Sequence, residues 1–129
     1  MSNPLYVLDS SAVLAVIFEE TGSEVVYPIL EGALISAVNL SEVVSKLTER
    51  QSSDEDIAVT LGEMSLNVVP FDNEQAIAAG RLRAITRSQG LSLGDRACLA
   101  LAAAQKATVV TTDQAWAAVL LPTPILLIR

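Results

Sequence analysis

The stretch "LYVLDSSAVLAVIFEE", residues 5–20, places an acidic residue between two apolar runs whose apolar residues are spaced differently. The first run, residues 5–8, is short and continuous, which predicts a buried strand. The second run predicts a helix over residues 11–19. Turns between such elements usually contain glycine or asparagine. The carboxylate of Asp9 at this junction therefore calls for an explanation.

Short apolar runs alternate with helical patterns along the rest of the chain. The remaining strands are predicted at residues 33–36, 67–70, 108–111 and 125–128. The remaining helices are predicted over residues 24–30, 40–47, 53–64, 72–90, 92–104 and 114–119. Alternation of this kind indicates an α/β fold with a mostly parallel sheet that is covered by helices on both faces. The length of 129 residues predicts a single domain over residues 1–129.

Three of the predicted helices carry specific expectations. Pro28 should bend or shorten the helix over residues 24–30. The helix that begins at Asp72 should present one apolar face and end at Gly90. Its face is formed by Ala78, Leu82 and Ile85. The helix that begins at Ser92 is apolar nearly all round, which predicts that it is buried.

Charge and composition narrow the functional classes. The formal net charge is −7, which argues against broad electrostatic binding to nucleic acid and fits a site for a cation or a basic partner. The chain contains no histidine, so Ser-His-Asp and Cys-His catalysis and zinc sites with histidine ligands are excluded. No phosphate-binding glycine motif is present. Any catalysis must depend on carboxylates, hydroxyls and a few basic groups.

The chain also lacks features of exported or membrane proteins. Cys98 is the single cysteine, which excludes an internal disulfide. No apolar stretch reaches the roughly 20 residues of a membrane span. Residues 1–8 do not resemble a signal peptide. We expect a cytoplasmic protein that does not bind membranes.

Four acidic residues stand at the predicted junctions, and each has a local explanation. Asp9 and Asp113 follow strands and are candidates for helix N-caps. Asp95 lies three residues after Ser92, which is the spacing of a capping box. Glu42 is expected in the first turn of its helix, where it would compensate the helix dipole.

The combination of these four residues predicts more than each one does alone. Ligands of open parallel sheets bind beyond the carboxyl ends of the strands, where Asp9 and Asp113 are expected to lie. Two like charges roughly 4 Å apart repel by about 4 kcal/mol when the effective dielectric constant is about 20. Protonation or a divalent cation would relieve that repulsion. Oxygen ligands without histidine or thiolate favour Mg²⁺ or Mn²⁺ over zinc.

Taken together, these motifs resemble the PIN-domain family, and specifically its VapC-type toxin ribonucleases. The resemblance covers nearly the whole chain and rests on four stretches in order, "YVLDSSAVLA", "ISAVNLSEVVSKL", "LSLGDRACLALA" and "VVTTD". The acidic quartet of the family falls on Asp9, Glu42, Asp95 and Asp113. The hydroxyl after the first aspartate matches Ser11, and the polar residue before the last matches Thr112.

The resemblance implies a fold, an activity and partners. It implies a parallel sheet of order 3-2-1-4-5 and a Mg²⁺- or Mn²⁺-dependent endoribonuclease that cuts structured RNA such as tRNA or ribosomal RNA. It implies a homodimer and a neutralising antitoxin whose basic C-terminal segment lies across the active cleft. Asp9, Asp95 and Asp113 would hold the metal, with Glu42 as a further ligand or orienting group. Ser11 and Thr112 would hydrogen-bond a ligand or the water.

Other interpretations remain open. Arg96, next to Asp95, is a candidate contact for substrate or partner. A PIN-like scaffold could bind a partner and cut nothing. An aspartate-based phosphatase is disfavoured because Ser11 stands where a second aspartate is expected. A receiver-like domain is disfavoured because the last strand ends in Arg129 with no lysine.

Overall fold

The structure, a computed structural model, describes residues 4–118 and 122–129. Its strands form one five-stranded sheet of order β3-β2-β1-β4-β5. They are β1 (Tyr6–Leu8), β2 (Leu34–Ser36), β3 (Asn67–Val69), β4 (Thr108–Thr111) and β5 (Ile125–Leu127). Every neighbouring pair is parallel. The strand order and the α/β fold class expected from the sequence are confirmed.

Seven α-helices and three 3₁₀ turns connect and cover the strands in the described ranges. The helices are α1 (Ser10–Ile17), α2 (Ser23–Val26), α3 (Ala37–Glu49), α4 (Asp54–Met64), α5 (Asn73–Arg81), α6 (Arg83–Thr86) and α7 (Leu93–Gln105). The 3₁₀ turns are Tyr27–Ile29, Arg87–Gln89 and Gln114–Ala118. Pro28 lies in the first of these turns and shortens α2 as predicted. The last predicted helix was expected to reach Val119, which lies outside the described residues.

The sheet is covered on both faces, as the alternation of elements predicts. Neighbouring side chains of a strand point to opposite faces. Val7 and Val109 belong to one buried cluster, which also contains Trp116 and residues of α7. Leu8 and Val110 belong to the other, which contains residues of α1, α3 and α4. The aliphatic central strands are therefore buried from both sides.

The predicted face of the helix after Asp72 is wrong. Ile85 is 52% exposed, and Ala79 and Thr86 are buried instead. The helix is interrupted, since α5 ends at Arg81 and α6 starts at Arg83. The helical spacing of apolar residues therefore does not continue from α5 into α6. Three of the four apolar residues of α5 are alanines, which carry little hydrophobic signal. Gly90 does end this segment, in the left-handed conformation with φ of 66°.

The helix that contains Glu42 also begins earlier than predicted. α3 starts at Ala37, where the side chain of Ser36 accepts a hydrogen bond from the N–H of Val38 at 3.2 Å. Glu42 therefore lies beyond the first turn, and the prediction that it compensates the helix dipole there is wrong. None of the helices in the described ranges is both long enough and apolar enough to cross a membrane.

Candidate active site

Asp9 lies at the carboxyl end of β1, in the middle of the sheet. Its N–H donates to the carbonyl of Val110 at 3.0 Å, which fixes it to β4. It occupies the N-cap position of α1, but its carboxylate makes no capping hydrogen bond. Its Oδ2 instead accepts from the hydroxyls of Ser11 at 2.6 Å and Thr111 at 2.9 Å. The side chain of Asp9 therefore does not serve as a helix cap.

The same two hydroxyls connect the segments that follow β1 and β4. The Ser11 hydroxyl accepts from the N–H of Thr112 at 3.0 Å, and the Thr111 hydroxyl accepts from the N–H of Asp113 at 3.1 Å. Asp113 is thus brought to the same sheet edge as Asp9. Thr112 contributes its backbone, whereas the hydroxyl that reaches Asp9 belongs to Thr111.

Sequence reasoning missed Thr111. The available signal was its position on β4, two residues after Val109 and therefore on the same face. A threonine that ends a central strand is a candidate partner for a carboxylate at the neighbouring strand end. It is fully buried in the structure.

Asp95 and Asp113 both have the capping contacts expected of them. Ser92 and Asp95 form a capping box, with the N–H of Asp95 donating to the Ser92 hydroxyl at 3.2 Å and the N–H of Ser92 donating to Asp95 Oδ2 at 3.0 Å. Asp113 Oδ1 accepts from the N–H of Ala115 at 2.9 Å. Each capping bond occupies one oxygen of its carboxylate.

Glu42 packs against the first turn of α7. Its Oε1 accepts from Asn39 Nδ2 at 2.9 Å. The same Nδ2 donates to the carbonyl of Gly94 at 3.0 Å. Because Gly94 directly precedes Asp95, Glu42 and Asp95 lie at the same end of α7.

The pKa shifts show that the acidic side chains share one environment. Burial raises the pKa of Asp9 from 3.8 to about 6, against the lowering effect of its two hydroxyl bonds, and the charges of Asp95 and Glu42 raise it further. Burial also raises the pKa of Asp95, and the charge of Asp113 adds to that effect. The charges of Asp95 and Glu42 thus reach Asp9, and that of Asp113 reaches Asp95. The four predicted residues therefore surround one acidic cleft between the sheet edge, α3 and α7, in the sense that their charges act on one another.

Cys98 lies beside the same cleft. Burial raises the pKa of its thiol, and so do the charges of Asp9, Asp95 and Glu42. The thiol is fully buried and therefore stays protonated at neutral pH.

The donors present suit a divalent cation that prefers oxygen. Among the described residues, no three acidic or thiol side chains are grouped as a ready-made metal site. Mg²⁺ usually keeps several of its waters and takes one or two carboxylates from the protein. The mutual repulsion of the carboxylates and the oxygen-only donor set fit such an ion, held in part through water.

Arg96 joins two helices. Its Nη1 donates to the carbonyl of Ala79 at 3.0 Å, which ties α7 to α5. Its charge lowers the pKa of Asp95, so the guanidinium also lies near the cleft. A contact of Arg96 with substrate or partner remains a prediction.

A five-stranded parallel sheet with acidic side chains at its carboxyl edge defines the class of fold. The PIN-domain model matches residues 6–119, and the chain belongs to the PIN-domain family. No curated protein sequence matches the chain.

Solved structures with the same fold come from toxin–antitoxin systems. A chain of VapBC2 from Rickettsia felis bound to a promoter DNA fragment has a TM-score of 0.74 and 19% identity, covering 97% of this chain and 99% of that one. A chain of DNA-bound VapBC from Salmonella typhimurium has a TM-score of 0.76 and 19% identity, covering 98% and 100%. VapC20 from Mycobacterium tuberculosis, a sarcin-ricin loop cleaving toxin, has a TM-score of 0.68 and 12% identity, covering 92% and 99%. At these identities the likeness concerns the fold.

Proposed function

We propose that this chain is a divalent-metal-dependent endoribonuclease and the toxin component of a toxin–antitoxin pair. The observation that carries the proposal is the hydrogen bonding around the four acidic residues. Ser11 and Thr111 join Asp9 to the segment that carries Asp113. Asn39 joins Glu42 to Gly94, which directly precedes Asp95. Membership of the PIN-domain family supports it. A sarcin-ricin loop cleaving toxin with the same fold also supports it.

The proposed site would hold Mg²⁺ or Mn²⁺ through Asp9, Asp95 and Asp113, with Glu42 as a further ligand or orienting group. When bound, such an ion lowers the pKa of a water and polarises the phosphate. Ser11 and Thr111 both bond Oδ2 of Asp9 and so leave Oδ1 for a ligand. The positive charge of the ion favours the ionised form of Asp9, against the effect of burial.

The expected substrate is structured RNA of the tRNA or ribosomal RNA class. Hydrolysis at phosphorus would leave a 3′-hydroxyl and a 5′-phosphate. Lysine and arginine number only 8 against 15 acidic residues. Affinity for RNA should therefore be modest and should fall with added salt.

Incubation of the protein with total RNA and Mg²⁺ or Mn²⁺ tests the activity, with EDTA and Asp9→Asn as controls. Discrete fragments with 3′-hydroxyl ends that disappear in both controls would support the nuclease. Absence of cleavage with every divalent ion, together with retained partner binding, would favour the non-catalytic scaffold. Phosphate release from small esters without RNA cleavage would favour a phosphatase.

The proposed antitoxin carries a basic C-terminal segment that would lie across the acidic site, and the acidity of the chain suits it. A groove between α1, α2 and α4 has an apolar floor that includes Val16, Ile17 and Met64. Its rim includes Glu19, Glu31 and Glu63. This groove contains none of the four acidic site residues, and a further helix of the antitoxin with one basic and one apolar face would fit it. Reversal of the rim charges with lysines should weaken antitoxin binding, as calorimetry at two salt concentrations would measure.

A homodimer is also part of the proposal. Large apolar side chains are exposed on α5, α6 and the start of α7. These are Ile77 at 56%, Ile85 at 52% and Leu93 at 51% exposed. Exposed apolar residues are common singly, but several on neighbouring elements suit an interface. Light scattering should give a dimer for the wild type and a monomer for Ile85→Lys.

A further inference from the structure

Asn39 is a fully buried amide that contacts the acidic cleft from α3. Its Nδ2 donates to Glu42 Oε1 at 2.9 Å and to the carbonyl of Gly94 at 3.0 Å. Both partners are acceptors, so the amide nitrogen must face them. Asn39 Oδ1 is then buried and has no hydrogen-bond partner among the residues that the structure describes.

Packing alone does not explain an asparagine at this position. A buried polar atom without a partner lowers stability, and a leucine of similar size would avoid that loss. Asparagine has two N–H groups on Nδ2, and here one donates to the Glu42 carboxylate of α3 and the other to the Gly94 carbonyl of α7. The two hydrogen bonds of Nδ2 offset the stability that the unpaired Oδ1 costs, which indicates that they have a function.

Gly94 faces the same carboxylate from α7. A Cβ at this position would lie 2.5 Å from Cδ and 2.6 Å from Oε1 of Glu42. The obstructed atoms are the far end of a flexible side chain, so an alanine would displace the carboxylate and leave the helix in place. A Cβ added at Gly62 in α4 or at Gly80 in α5 would have no atom of the described residues within 4 Å.

We propose that Asn39 and Gly94 are positioning residues that hold the Glu42 carboxylate against the first turn of α7. Asn39 fixes Oε1 by its hydrogen bond, and Gly94 leaves the space that the carboxylate occupies. Glu42 is thereby held beside Asp95, where the cation would bind. The role in catalysis rests on the nuclease proposed above, whereas the role in metal binding can be measured without RNA.

The test uses Asn39→Leu and Gly94→Ala, with Gly80→Ala as the matched control. Mn²⁺ is the probe, and its affinity is measured by calorimetry beside metal-free melting temperatures and cleavage kinetics. We expect Mn²⁺ affinity and kcat to fall by about 10- to 100-fold in both variants, the usual effect of losing a group that orients a ligand. Gly94→Ala should keep the melting temperature of the wild type, whereas Asn39→Leu loses two hydrogen bonds and should melt at or below it. Gly80→Ala should leave affinity and kcat unchanged.

A double-mutant cycle with Glu42→Gln separates positioning from a general effect on the fold. Asn39→Leu should cause no further loss of Mn²⁺ affinity once Glu42→Gln is present, because Asn39 acts through that carboxylate. Additive losses would overturn the inference. So would normal Mn²⁺ affinity in Gly94→Ala, which is not expected to disturb folding.

The two proposals fail in different ways. A wild-type chain whose Mn²⁺ affinity depends on Glu42 and on Asn39 but which cuts no RNA would refute the nuclease and leave the positioning role intact. A chain that cuts RNA equally well with Asn39→Leu and Gly94→Ala would refute the positioning role alone.

Discussion

Two strand-to-helix junctions of the same sheet, after β1 and after β3, place an aspartate directly before a helix. Asp9 and Asp72 both have extended backbone there, with φ of −71° and −86°. Asp72 is exposed, and its Oδ1 accepts from the N–H of Gln75 at 2.9 Å, as a cap does. Asp9 is 4% exposed and bonds two hydroxyls instead. One local pattern therefore has two outcomes.

The position of each strand explains the difference. β3 is an edge strand, so water reaches the junction after it, and the nearest donor for Asp72 is the backbone of its own helix. β1 has β4 beside it, and β4 supplies Thr111. A carboxylate at the centre of the sheet thus has partners that are remote in sequence. Because Asp9 is buried and bonded to those partners, its carboxylate is a candidate metal ligand and not a helix cap.

Asp9→Asn against Asp72→Asn tests this contrast most strongly. Asp9→Asn should reduce RNA cleavage by at least about 100-fold, because loss of a ligand exceeds the loss of a group that orients one. Asp72→Asn should leave cleavage unchanged, since asparagine caps helices as well as aspartate does. Without metal, Asp9→Asn should melt at a higher temperature than the wild type at pH 7. A lower melting temperature would contradict the inference that the carboxylates repel one another in the absence of metal.

The pH dependence of stability sharpens the same contrast. Folded Asp9 holds its proton up to about pH 6, whereas the unfolded chain loses it near 3.8. The folded state binds more protons in between, so this contribution to stability declines as pH rises from about 4 to about 6. The raised pKa, from 3.8 to about 6, corresponds to about 3 kcal/mol.

Metal-free denaturant unfolding of the wild type and Asp9→Asn measures this effect. The advantage of Asp9→Asn should grow through that pH window and level off above it. An advantage that does not depend on pH would show that Asp9 does not titrate in this range. Asp72→Asn serves as the exposed control.

Thr111→Val against Thr86→Val gives the smallest expected effect. Both threonines are fully buried, but the Thr86 hydroxyl donates to the carbonyl of Leu82 one turn back, at 2.8 Å. Thr86→Val should lower the free energy of unfolding by about 1 kcal/mol through one lost hydrogen bond. Thr111→Val should lower it by about 2 kcal/mol, because the Thr111 hydroxyl bonds both Asp9 and the N–H of Asp113. Thr111→Val should also reduce cleavage by about tenfold, because Asp9 loses an orienting partner. Equal cleavage by the two variants would show that Thr111 does not contribute to the activity of the site.

Much of the fold was predictable because its signals are local. The apolar runs and capping spacings predicted the strands and the starts of α4, α5 and α7. The face of α5 and the first turn of α3 were mispredicted, because alanine-rich helices and short strand-to-helix joins have weak patterns. The carboxylates were singled out by their places at predicted junctions and by the family resemblance.

The polar partners of those carboxylates were not predictable in the same way. Thr111 reaches Asp9 across 102 positions in sequence, and Asn39 reaches Gly94 across 55. No local sequence pattern predicts such contacts for a threonine in a strand or an asparagine in a helix. They become partners only because β4 lies beside β1 and α7 packs on α3.

By itself, the sequence determined where strands end, where helices begin and which junctions carry a negative charge. Those properties depend on neighbours a few residues apart, through backbone hydrogen bonds and the alternation of apolar side chains. Only the tertiary structure decided which aspartate caps a helix and which is buried with a raised pKa. That outcome depends on desolvation and on charges and hydroxyls from distant parts of the chain, which folding brings within a few ångströms.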